Sequence, residues 1–177
     1  MAALDKRTAG LASTWVRQGH LITTPGNVAD YTVVRAQLVR DLDTFDVAEV
    51  GYDPWNATQL VNDLVSDGAP MVAVRQGYGT LSAPTKELQR LVLEGTEQRP
   101  VFRHGGQPAV RWQVDNVAVQ MDAAGNVKPD KKNSGDKIDA VAAVIMALSR
   151  AIADTGPARS KYEDDDLVIL RGDGAAS

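Results

Sequence analysis

The sequence predicts an α/β domain, on three observations. Residues 47–52, Val-Ala-Glu-Val-Gly-Tyr, form an apolar run that reads as a strand. From Asn56 to Asp67, the residues Ala57, Leu60, Val61, Leu64 and Val65 recur at helical spacing, and Met71-Val72-Ala73-Val74 follows as a second compact apolar run. Strand, helix and strand in so short a span make a βαβ unit with parallel strands. Finally, residues 136–153 carry Ile138, Val141, Ala142, Val144, Ile145, Leu148 and Ile152, which is the pattern of a largely buried helix.

The remaining elements follow from local signals. Leu4, Leu11, Trp15 and Val16 predict one short helix over 4–18, stopped by Gly19. Residues 20–24 read as a brief strand closed by the Pro25-Gly26 turn. Asp30 is placed to cap a helix over 31–41, with Val33, Val34, Leu38 and Val39 on its apolar face. Past the Gln76–Gly79 loop, a helix is expected over 82–94, with Pro84 near its first position, where a missing N–H costs nothing. Residues 110–114 and 117–121 read as β segments, and 122–126 as a turn around Gly125. The expected organisation is a single domain over 1–177, with 1–30 as a lead-in helix and strand. Residues 160–177 are expected to form a tail with one apolar strand at 167–170.

Composition narrows the chemistry. The 177 residues are enough to bury a core. There are no cysteines, which excludes disulfides, thiolate metal sites and a cysteine nucleophile. Two histidines, His20 and His104, are too few for a histidine-rich zinc site, so any metal would be held by oxygen, favouring Mg²⁺ or Mn²⁺. No apolar run approaches the ~20 residues of a membrane span, and no apolar core follows Asp5-Lys6-Arg7, so no signal peptide is expected. A formal net charge of −4 gives no general attraction to nucleic acid; DNA binding would need a local basic patch.

Two carboxylates draw attention. Asp53 lies where the first strand ends and the next helix begins, a place where α/β sheets gather ligands and metals. Followed by Pro54, it equally suits a helix cap. Asp139 opens the apolar helix beside Ala142 and Ala143, and a charge on that face needs a partner or a cation. It equally suits a capping box running from Asp136 to Asp139. Lys128, Lys131, Lys132 and Lys137 precede that helix, either as solvated loop lysines or as a phosphate-contacting flank. No P-loop occurs, His104 reads as a turn residue, and Trp55 and Trp112 suit core or platform positions. Two acids converging on a divalent cation would suit phosphodiester hydrolysis.

Several stretches together resemble a known family. These are Gly51-Tyr52-Asp53-Pro54-Trp55-Asn56-Ala57 with Gln59-Leu60, Val74-Arg75-Gln76-Gly77-Tyr78, Leu81-Ser82, Lys86-Glu87-Leu88, and Lys137 to Ala143 with Met146-Ala147-Leu148. Their order and spacing resemble the C-terminal nuclease domain of the tailed-bacteriophage terminase large subunit, in its HK97-like group. Trp15, Gly19, Leu21, Thr24-Pro25-Gly26 and Asp30-Tyr31 fit the stretch preceding these motifs.

The resemblance implies an RNase H-like mixed sheet flanked by helices. It also implies acidic residues binding Mg²⁺ or Mn²⁺, and cleavage of concatemeric viral DNA during packaging. Asp53 then matches the acid at the end of the central strand, and Asp139 the acid on the C-terminal helix. Asn116, Lys131 and Lys132 fall in a segment resembling the family's β-hairpin near the DNA. Implied partners are double-stranded viral DNA, the terminase small subunit and the portal, in the cytoplasm of a bacterial host, with the gene phage or prophage encoded. The family's opening strand, with its first catalytic acid, and its ATPase domain have no match here. The expectation is therefore a partial nuclease domain lacking the first strand or strands of the fold, to be completed by an upstream fragment. The alternative is a non-catalytic DNA- or partner-binding remnant of the same fold.

Overall fold

A computed structural model describes residues 1–26, 30–55 and 58–153. The expected βαβ unit is present. Strand β1 (Val50–Tyr52) pairs in parallel with β2 (Met71–Ala73), Gly51 opposite Val72, and the helix between them spans Thr58–Ser66. A second pair is antiparallel: β3 (Val119–Met121) and β4 (Val127–Pro129). Among the described residues these are two separate two-stranded sheets rather than one mixed sheet.

Seven helices are present among the described residues: α1 (Ala2–Arg7), α2 (Leu11–Arg17), α3 (Tyr31–Thr44), α4 (Thr58–Ser66), α5 (Tyr78–Glu94), α6 (Pro108–Asn116) and α7 (Asp139–Ala153). Helix α7 is the axis of the molecule, touching β1, α5 and α6, while α5 also covers β4. Between α7, α5 and β2 lies a core of Val74, Leu81, Val141, Ile145 and Met146. Glycine at position 51 lets α7 come close. A Cβ there would sit 3.2 Å from Val74 Cγ2 and 3.9 Å from Arg150 Cγ. Arg150 then grips Glu49, just before β1, through bonds of 2.6 and 3.0 Å. That guanidinium holds the Glu49 carboxyl below its usual pKa.

Several expectations need correction. The single helix over 4–18 is two, because Ala9 and Gly10 adopt positive φ and reverse the chain. Asp5 binds the Ser13 backbone across that break. Residues 20–24 form no strand: the Leu21 N–H bonds to the Trp15 carbonyl and the His20 carbonyl accepts from Gln107, so no ladder forms. Residues 110–114 alternate like a strand but are helical. Pro108 occupies the first turn of α6, Gln107 caps it, and Trp112 packs edge-on against Trp15 with ring centroids 6.0 Å apart.

Helix α5 begins at Tyr78, so Pro84 lies inside it and is buried there rather than at its first position. Helix α7 begins at Asp139 rather than 136. No capping box forms, because Asp136 pairs with Arg7, and the Ala140 N–H is capped instead by Gln113 Oε1 at 2.7 Å. The 31–41 helix holds and runs on to Thr44, with Asp30 accepting from Thr32 N at 2.9 Å. Asn56, Ala57 and the tail strand at 167–170 lie outside the described residues.

Candidate metal centre and nucleic-acid interface

Asp53 stands one residue beyond β1, partly buried. Its Oδ1 accepts from Trp55 N at 3.2 Å, the local turn that Asp-Pro sequences favour. Its Oδ2 accepts from Gln76 Nε2 at 2.7 Å. Gln76 follows β2, the neighbouring parallel strand, so sheet register brings donor and acceptor together. The Gln76 amide also lies 3.9 Å from Met146 Sδ, which places the acid against α7.

Asp139 is on the same helix, two turns before Met146 and roughly 10 Å along the axis. It is largely exposed and meets Lys131 Nζ at 3.3 Å. No hydrogen bond or ion pair joins Asp139 to Asp53 among the described residues. Between their partners lies an open cavity of about 250 Å³, lined by Gln76, Lys128, Asp130, Lys131, Lys132 and Met146, among others.

The basic side chains on this cavity are held by the turn after β4. Buried Asp130 accepts from Lys132 N at 3.0 Å and from Asn133 N and Nδ2 at 3.1 and 2.6 Å. These bonds, led by the Asn133 side chain, keep the Asp130 carboxyl below its ordinary pKa. Its acceptor capacity goes largely to shaping the turn that presents Lys131 and Lys132. Lys128 is fixed by other means: Nζ donates to the Gln76 carbonyl at 3.3 Å and sits 4.9 Å from the Tyr78 ring centroid.

Asn116 is the last residue of α6, three residues before the β3–β4 hairpin. Its side chain donates to the Trp112 carbonyl at 2.7 Å, and its own carbonyl accepts from Gly135 N at 2.9 Å. It braces the base of the lysine turn. Gln76 and Asp130 escaped the sequence reading. For Asp130 a signal existed, since Asp-Lys-Lys-Asn-Ser-Gly is turn composition. For Gln76 the resemblance marked the Val74–Tyr78 stretch but not its partner, which lies past another strand.

The donor set can be tested against a divalent cation. Each Asp53 oxygen carries one hydrogen bond and keeps acceptor capacity. No group of three or more acidic or histidine side chains able to hold a metal occurs among the described residues. Such a set does not make an all-protein cage. It does fit Mg²⁺ or Mn²⁺, which one or two carboxylates hold while water and substrate phosphate complete the sphere. A larger cavity of about 810 Å³ is mostly apolar, lined by Leu88, Val92, Val114 and Ile145 among others, with Asp115 the one carboxylate on it.

Residues 4–155 match the family "Terminase large subunit, endonuclease domain". The chain belongs to that family. It is 35% identical over 167 residues to protein YmfN of Escherichia coli K12, covering 93% of this chain and 34% of that one. To the terminase large subunit of Enterobacteria phage HK97 it is 33% identical over 159 residues, covering 89% and 30%. The crystal structure of the HK97 large terminase superposes with a TM-score of 0.75 at 30% identity, covering 84% of this chain and 30% of that one. The fold is thus that of the terminase nuclease, RNase H-like in type. The chain spans about a third of the length of these relatives. Among the described residues no helix is long and apolar enough to cross a membrane.

Proposed function

We propose that this chain is the nuclease portion of a phage DNA-packaging terminase and takes part in metal-dependent cleavage of double-stranded viral DNA. One observation carries the reading. The oriented Asp53 carboxylate just past β1 is bonded to Gln76, which lines a cavity edged by Lys128, Lys131 and Lys132. Asp53 and Asp139 would hold Mg²⁺ or Mn²⁺. When bound, the ion would supply an activated water and charge stabilisation at the phosphate.

The chain's own residues do the rest. Trp55 N and Gln76 fix the Asp53 carboxylate before substrate arrives. Lys131 and Asp139 form an exposed pair that water screens, so it yields readily. A phosphate drawing Lys131 away would free Asp139 for a cation. Asp130 and Asn116 keep the lysine turn in shape meanwhile. In the wider machine the partners would be the terminase small subunit, the portal and an ATPase-bearing segment, in the host cytoplasm.

The test is Mn²⁺-dependent plasmid nicking by the chain alone and mixed with a fragment carrying the upstream strands, with Asp53→Asn and Asp139→Asn as controls. Cleavage that both substitutions abolish is expected in the mixed sample. Lack of cleavage with both parts folded would refute the catalytic reading. A second reading, a non-catalytic DNA- or partner-binding protein, is favoured by the absence of a three-acid cluster among the described residues. It requires DNA or partner binding that survives both substitutions.

A further inference from the structure

Gln76 makes contacts on two sides of the site. Through its side chain it donates to Asp53 Oδ2 at 2.7 Å, and through its main-chain carbonyl it accepts from Lys128 Nζ at 3.3 Å. The amide nitrogen faces the carboxylate, the orientation in which it donates. With Trp55 N on Oδ1, the Gln76 bond fixes the plane of the carboxylate and leaves lone pairs on both oxygens.

We infer that Gln76 is a positioning residue for Asp53: its neutral side-chain amide orients the carboxylate for a divalent cation. The inference rests on the reading of Asp53 as a cation ligand. The physical case is one of charge. A lysine or arginine at position 76 would also orient the carboxylate, but its positive charge would compete with the cation for the same oxygens. A neutral amide orients without competing. Lys128, on the same cavity as Gln76, donates to the Gln76 main-chain carbonyl and lies over the Tyr78 face. Met146, 3.9 Å from the amide nitrogen, limits how far the side chain can swing.

The experiment is an electron paramagnetic resonance titration of Mn²⁺ into the full chain, with a thermal melt of each variant. The variants are Asp53→Asn, Gln76→Met, which keeps the length and removes the donor, and Gln76→Lys, which keeps a donor and adds charge. Loss of a partner that orients a metal ligand typically weakens binding 10- to 100-fold. Gln76→Met is expected to raise the Mn²⁺ Kd roughly 10-fold, the low end for a neutral donor, with the melting temperature unchanged. Gln76→Lys is expected to weaken Mn²⁺ further than Gln76→Met does.

If Asp53→Asn abolishes binding while Gln76→Met binds like the parent, the role of Gln76 is overturned and Asp53 stands as a ligand. If Asp53→Asn binds Mn²⁺ as the parent does, both readings fall together. A Gln76→Lys chain that binds as tightly as the parent overturns the charge argument. A Gln76→Met chain whose loss of binding comes with an equal loss of folded protein overturns the positioning role.

Discussion

The lysine turn permits a quantitative prediction about DNA. Lys128, Lys131 and Lys132 line the cavity on which Gln76 lies, although the chain as a whole carries a net charge of −4. Binding should therefore depend on this patch, not on overall charge. Each phosphate neutralised on duplex DNA contributes about −0.9 to the slope of log K against log salt. Three contacts give a slope of about −2.7, or a loss of roughly 40-fold between 50 and 200 mM salt. The perturbation is Lys131→Ala with Lys132→Ala, which leaves Lys128. The slope should fall to about −0.9 and the loss over the same range to roughly 3- to 4-fold. The assay is fluorescence anisotropy of a labelled duplex in NaCl and EDTA, with Lys6→Ala on α1 as a remote control. A double variant whose slope equals the parent's would refute the assignment of the turn to phosphate. So would an equal drop in the Lys6→Ala control, which would show that only net charge matters.

Other outcomes follow from individual contacts. Leu64 is 1% exposed on α4, so Leu64→Ala should cost about 2–5 kcal/mol in urea denaturation through lost burial and a cavity. Asp130 has a depressed carboxyl pKa, so its contribution to stability is present above the unfolded value of about 4 and lost as pH falls through the lower folded value. Melts of parent and Asp130→Asn should accordingly differ at pH 7 and converge in acid; a difference independent of pH would count against the turn geometry. Gln113→Ala removes the side-chain cap on α7 and should cost on the order of 1 kcal/mol, read by thermal melt. Trp55 is 83% exposed beside Asp53, so Trp55→Ala should leave the melting temperature unchanged. Any fall in duplex affinity in that variant would then come from a lost surface contact.

The sequence revealed those parts of the structure whose cause is local. The parallel βαβ unit could be read because Leu60, Val61 and Leu64 repeat with a helical period between two apolar runs. Asp30 could be read as a cap because its bond spans only two residues. Two of the failures share a physical reason: each involves a partner distant in sequence. Val110, Trp112 and Val114 alternate as in a strand, yet the segment is helical, with Trp112 packed on Trp15. The Asp136 to Asp139 spacing is that of a capping box, yet Arg7 takes the first acid and Gln113 caps the helix in its place.

The candidate site divides along the same line. Asp53 and Asp139 stand out because each opens the approach to a helix, which is a local property. What surrounds them is not local. Gln76 reaches Asp53 only because β1 and β2 pair in parallel with Tyr52 opposite Ala73, which brings the two strand ends side by side. Asp139 meets Lys131 only because the Asp130 turn folds back toward the start of α7. Both acids look alike in the sequence, a carboxylate beside a helix start. In the fold they differ: Asp53 is held by two neutral N–H donors, and Asp139 is paired in the open with a lysine. On the proposed reading, Asp53 would bind an ion before DNA arrives, and Asp139 would join once a phosphate draws Lys131 off. That order predicts a Mn²⁺ affinity of the free chain that Asp53→Asn abolishes and Asp139→Asn barely changes. Equal losses from the two substitutions in the absence of DNA would show that the lysine does not mask Asp139.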